Sequence, residues 1–101
     1  MLPKKQRLTK EEIEKVIKEG LKKDTSFFRF KFMESSDFKI SPVVSKKVAK
    51  LAVDRNKIKR LFFNLLESLD ITKKAHIAVF IKKDISKEDK NEALSQLKDF
   101  L

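Results

Sequence analysis

Residues 58–69 limit what this chain can become more than any other stretch. Ile58, Leu61, Phe62, Leu65, Leu66 and Leu69 recur at i, i+3, i+4, i+7, i+8 and i+11, the stripe of a helix that lies on a core along one side. Asn56, Lys59, Arg60 and Phe63 fall on or near the opposite face of such a helix, with Arg55 and Lys57 on its flanks. The pattern predicts a helix over about 52–69, bound to a core by its leucines and free on its other side. That free side is where the charge gathers. Residues 46–60 hold seven basic residues and one acidic, whereas residues 61–101 hold seven of each. A surface built only for solubility spreads its charge, but here most of the formal net charge of +10 sits in fifteen residues.

What the chain lacks narrows the chemistry further. One glycine among 101 residues rules out a dinucleotide fingerprint and a P-loop. Without cysteine there is no disulfide framework, thiolate metal site or cysteine nucleophile. The longest nearly unbroken apolar stretch, Ala75 to Ile81, is far short of a membrane span. No apolar signal region follows the basic start. The expectation is one small, basic, cytoplasmic domain over residues 1–101, with no membrane partner and a polyanion as its default ligand.

Residues 1–7 lack apolar periodicity and read as a mobile basic arm. Thr9 with Glu12 makes a capping box, and Ile13, Val16 and Ile17 give helical spacing. The first helix is therefore expected at about 9–19, with Gly20 as a left-handed cap. Residues 27–33 alternate, with Phe28, Phe30 and Phe32 on one face and Phe27, Arg29 and Lys31 on the other, which predicts a half-buried strand. After the polar turn at 34–37, residues 38–44 read as a second strand antiparallel to it. Pro42 requires an edge position or a bulge there. Residues 75–81 read as a strand covered on both faces. Ser86 with Asp89 suggests another capping box, and Leu94, Leu97 and Leu101 a third helix. The order is α-β-β-α-β-α, an α/β (α+β) two-layer sandwich on a small sheet.

A helix with a leucine face inward and Lys, Arg and Asn outward can dock on a core while gripping phosphates. Asp54 is the only acid in residues 46–60, so a face balanced by ion pairs is the poorer reading. Charge alone does not separate RNA from DNA. Phe28, Phe30 and Phe32 are expected in the core, which leaves Phe27, Arg29 and Lys31 as the better ligand face. Phe63 could stack on a base or seal a contact with a partner. His76, in an apolar strand, is expected to be structural. Glu11, Glu12 and Glu14, like Glu88, Asp89 and Glu92, sit where a helix dipole favours acids. No catalytic residues and no metal ligands are expected.

Ser45-Lys46-Lys47 followed by Arg55-Asn56-Lys57-Ile58-Lys59-Arg60 resembles the S-K-K and R-N-R-x-K-R signature of the bacterial ribonuclease P protein subunit. Lys4-Lys5-Gln6-Arg7-Leu8 is similar to that family's basic start, and the apolar strand followed by Lys82-Lys83 also fits. The resemblance implies a mixed sheet with a left-handed βαβ crossover, as in the ribonuclease P protein and ribosomal protein S5 domain 2-like fold, where chain physics alone favours the right-handed form. It further implies that an RNA subunit is the catalyst and requires Mg²⁺, that the protein carries no cofactor of its own, and that its partners are the catalytic RNA and precursor tRNA. Lys46, Lys47, Arg55, Asn56, Lys57, Lys59 and Arg60 would face the catalytic RNA. The 5′ leader of the precursor would lie between the first helix and the sheet, against Ile13, Ile17, Arg29 and Lys31.

The chain departs from the family pattern in several places. One extra residue precedes Arg55, and a common glycine is absent from Val48-Ala49-Lys50-Leu51. Ile13, Ile17 and Lys31 stand where aromatics are frequent, and Phe63 where a basic residue is usual. A structural RNA-binding protein of ribosomal type is the alternative reading, and the paired S-K-K and R-N-K-I-K-R runs favour the first.

Overall fold

The computed structural model describes residues 7–69, 71, 74–87 and 89–101. Among these residues three helices, α1 (Lys10–Glu19), α2 (Ala52–Glu67) and α3 (Lys90–Phe100), accompany four strands, β1 (Leu21–Asp24), β2 (Phe28–Glu34), β3 (Lys39–Val44) and β4 (Ala75–Ile81). The basic arm expected over residues 1–7 lies outside the described residues except for Arg7, as does Glu88 of the second acidic cluster.

The strands form one sheet in the order β1-β2-β4-β3. β2 and β3 run antiparallel in space, as the short turn between them requires, yet they are not neighbours. β4 lies between them, antiparallel to β2 and parallel to β3. The connection from β3 through α2 to β4 is therefore a crossover. Pro42, which has no N–H to donate, sits on the edge strand β3 as its chemistry demands.

β1 is the element that periodicity misses. Its four residues, Leu-Lys-Lys-Asp, are all exposed and have no apolar alternation. Pairing with β2 makes it a strand, with Leu21 opposite Phe32 and Asp24 opposite Arg29. Gly20 enters it with φ −77° and ψ 165°, an extended conformation and not the left-handed cap expected. Space is what demands glycine here: a Cβ would collide with the Val16 carbonyl oxygen and lie 2.8 Å from that of Phe32.

The larger core lies between the sheet and the α2–α3 pair. Phe28 and Phe30 of β2, Ile40 and Val44 of β3, and Ile77, Val79 and Ile81 of β4 meet Ile58, Phe62 and Leu66 of α2 and Leu97 and Phe100 of α3. Fully burying each such side chain contributes roughly 1.5–3 kcal/mol. The rings of Phe30 and Phe100 stack at 4.0 Å between centroids. A smaller cluster on the opposite face joins Leu8 and Val16 to Ala78, with Ile13, Met33 and Phe80 packed against it. β4 is thus covered on both faces, as its composition predicts.

Two local expectations change. α3 is capped by Asp89, whose carboxylate accepts from the Asn91 N–H at 2.9 Å. Ser86 instead bonds the Asp84 carboxylate through its N–H and hydroxyl, so the expected Ser86–Asp89 box does not form. Phe63 is only 5% exposed. Its ring meets Phe62 edge-on at 5.8 Å, and the Arg7 guanidinium lies 5.7 Å above it. Arg7 thus covers a position that would be open if α2 contacted the sheet alone, and Phe63 is a core residue. At the start of α1 the Thr9 hydroxyl accepts from the Glu12 N–H at 3.2 Å, and the Glu12 carboxylate accepts from the Thr9 N–H at 2.9 Å. That is the predicted capping box.

Candidate nucleic-acid interface

Two basic surfaces emerge, joined by the β3–α2 loop. The first is the outward side of α2. Asn56, Lys57 and Arg60 are exposed and Lys59 is half-buried, while Lys46, Lys47 and Lys50 stand exposed on the loop. Arg55 behaves differently. Its guanidinium donates to the carbonyl oxygens of Ala49 at 3.1 Å and Lys50 at 2.8 Å, fastening the loop to the helix. Arg7, Asn56, Lys59, Arg60 and Phe63 border a hollow of about 190 Å³. Arg7 was not among the expected binding residues, although it belongs to the basic start.

The second surface is a cleft of about 540 Å³ on the sheet. Arg29, Lys31, Lys47 and Lys82 line it around Val43, Val48, Phe80 and Ile81. Four cations over an apolar floor can hold the phosphates of a single strand while its bases lie on hydrocarbon and the Phe80 ring. Arg29 and Lys31 come together there as the alternation of β2 predicts, but Phe27, expected on the same face, precedes the strand and is buried in the larger core at 7% exposure. Ile13 instead borders a neighbouring hollow of about 440 Å³ with Arg7, Lys59 and Phe63, and Ile17 is 40% exposed. Sequence reasoning missed Phe80 and Lys82. A period of two along β4 would have put Phe80 on the face of Ala78, but a strand apolar on both faces hides that signal.

Asp24 bears on this cleft. Its carboxylate lies 2.7 Å from Arg29 Nε, 3.2 Å from Lys82 Nζ and 3.8 Å from Lys22 Nζ. The Arg29 hydrogen bond, and then that of Lys82, lowers its pKa to about 2. At the opposite end of β4 from Phe80, His76 holds a structural junction, as expected. Its Nε2 lies 2.8 Å from the Asp37 carboxylate and 3.1 Å from the Ser35 hydroxyl, and its Nδ1 lies 3.8 Å from Glu12. Lys39 donates to the same Glu12 carboxylate at 3.0 Å. The His76 hydrogen bond holds the Asp37 carboxyl below its usual range. For Glu12 the largest cause of the lowering is the Thr9 backbone N–H, followed by Lys39.

Among the described residues no group of three or more His, Asp or Glu is placed to hold a metal ion, and no helix is long and apolar enough to cross a membrane.

The fold has close counterparts. The ribonuclease P protein of Thermotoga maritima superposes with a TM-score of 0.80 over 94% of both chains, at 24% identity. A second structure of that protein, in a small-molecule complex, matches at 26% identity and a TM-score of 0.78, covering 94% of this chain and 96% of that one. A Staphylococcus aureus ribonuclease P protein matches at 22% identity and a TM-score of 0.79, over 95% of this chain and 85% of that one. No curated protein sequence matches significantly. The sequence model described as Ribonuclease P matches residues 2–101, nearly the whole chain and with it both basic surfaces, so this chain belongs to the ribonuclease P protein family.

Proposed function

We propose that this ribonuclease P protein performs no bond cleavage itself and assists a catalytic RNA in removing the 5′ leader of precursor tRNA. Lys46, Lys47, Asn56, Lys57, Lys59 and Arg60 grip the catalytic RNA, with Arg55 holding the loop that carries the first two. The leader lies in the cleft, its phosphates near Arg29, Lys31 and Lys82 and its bases over Val43 and Phe80. Ile13 and Ile17 of α1 are further apolar contacts for the leader in this scheme, although neither lines the cleft itself. The observation that carries this reading is the convergence of four cations on one apolar-floored cleft that shares Lys47 with the α2 surface.

Mg²⁺ belongs with the RNA subunit in this scheme, and the protein needs no cofactor. Its cations replace counterions that crowded phosphates would otherwise hold. Such a protein acts in the cytoplasm, where precursor tRNA is processed. The test is precursor cleavage by a bacterial ribonuclease P RNA across a Mg²⁺ titration, with and without the protein. The protein should lower the Mg²⁺ needed, and rigorously RNA-free protein should cut nothing. Cleavage by the protein alone would overturn the assignment.

A further inference from the structure

Two of the four cations that line the cleft, Arg29 and Lys82, are already engaged by one acid, which also reaches Lys22 outside it. Asp24 stands on the edge strand β1 directly opposite Arg29 in the ladder, and its carboxylate reaches Arg29 Nε, Lys82 Nζ and Lys22 Nζ. Lys31, two residues along β2 from Arg29, and Lys47 have no carboxylate partner among the described residues. The cleft therefore has a half whose charge is offset and a half whose charge is open. Exposed ion pairs add little to stability, and Asp24, Arg29 and Lys22 are all more than a third exposed. The cluster's main effect is thus on the potential that an incoming anion meets.

We propose that Asp24 is an intramolecular stand-in for an RNA phosphate, occupying Arg29 and Lys82 so that a strand enters this half of the cleft only by displacing it. This rests on the reading of the cleft as a single-stranded RNA site. A carboxylate and a phosphate both accept the same N–H donors, and the exchange replaces one anion by another with no covalent change. An anion that offers a single phosphate gains little by the exchange. A strand held also by Lys31 and Lys47 gains enough to make it. Lys82 additionally donates to the Thr25 carbonyl oxygen at 2.8 Å, so it stays at the mouth when the carboxylate leaves. With its pKa near 2, Asp24 is ionised at any working pH and the competition is permanent.

The experiment measures binding of fluorescent oligouridine to the full-length protein across a salt series, for wild type, Asp24→Asn, Asp24→Glu and Lys31→Ala. Asp24→Asn should bind on the order of threefold to tenfold tighter at low salt, because Arg29 and Lys82 no longer have a carboxylate to give up, with a similar slope against log salt because the same phosphates are contacted. Asp24→Glu, which keeps the carboxylate, should stay near wild type. Lys31→Ala should bind more weakly. If Lys31→Ala weakens binding and Asp24→Asn does not tighten it, the stand-in role is overturned while the cleft reading stands. If Lys31→Ala binds like wild type, the cleft reading falls and the stand-in role with it. Weaker binding by Asp24→Asn would mean that Asp24 orders its cations for RNA and does not compete, which also overturns the proposal.

Discussion

The Arg55 guanidinium donates to the carbonyl oxygens of Ala49 and Lys50, so Arg60 is the exposed arginine fork of α2. In the sequence the two arginines look equivalent, because both belong to one basic run. A fork spent on backbone carbonyls has fewer donors left for phosphate. Arg60→Ala should therefore weaken binding to the catalytic RNA and lower the salt slope by roughly 1. Lys87→Ala, in the charge-neutral last forty residues of the chain, should change neither. Filter binding over a salt series separates the two, and equal effects would mean that the charge focus on α2 is incidental. Phe63 also changes with context. Helical spacing puts it near the basic face, but Arg7, remote along the chain, closes over it. A core position implies that Phe63→Ala costs about 3–5 kcal/mol. Chemical denaturation measures this directly, and a loss near zero would return Phe63 to the surface.

At the scale of elements, what was legible is what burial writes into a sequence. The α1 capping box, the α2 stripe, the alternation of β2 and the two-sided burial of β4 all leave periodic traces. β1 leaves none, because an exposed edge strand is made by the hydrogen bonds of its neighbour, and Asp24 was lost with it. The cleft was half legible for the same reason. Arg29 and Lys31 follow from alternation within one strand, whereas Phe80, Val43 and Lys82 join them only through the β2-β4-β3 order.

The junction of α1 with the sheet has its own pH signature. Hydrogen bonds from the Thr9 N–H and from Lys39 stabilise the Glu12 carboxylate, lowering its pKa from 4.5. A carboxyl with a depressed folded-state pKa contributes its stability above the unfolded value and loses it as pH falls through the folded value. Asp37, lowered first by His76, acts in the same sense. Glu12→Gln should be less stable than wild type at neutral pH. The difference should shrink steadily as pH drops below about 4.5. Thermal unfolding midpoints across that range test this, and a pH-independent difference would assign the Glu12 contribution to packing.

Across the whole molecule the two basic surfaces are continuous, and Lys47 is where they meet: it stands on the loop fastened by Arg55 and also lines the cleft. Lys57→Ala should reduce affinity for the catalytic RNA alone. The double change Arg29→Ala/Lys31→Ala should reduce the preference for precursor over mature tRNA, with little effect on the catalytic RNA. Lys47→Ala should do both. Binding of each RNA to the reconstituted holoenzyme checks all three, and a Lys47 variant that disturbs only one of them would mean that the surfaces work separately.

The position of β4 between β2 and β3 has a consequence for how this protein is made. Of the four strands described, the one that completes the sheet is the last synthesised. Until Ile81 has left the ribosome, β2 and β3 each present an unpaired inner edge, and the phenylalanines of β2 have only β1 beside them. Non-local pairing of this kind slows folding, because chain must be closed before contacts reward it. The cleft does not exist in that interval, since it lacks Phe80 and Lys82, and α2 has β3 beneath it but neither β4 nor α3 to complete its core. The nascent chain thus carries most of its positive charge well before it has the shape to use that charge selectively. Its dependence on β4 makes the cleft a property of the finished fold.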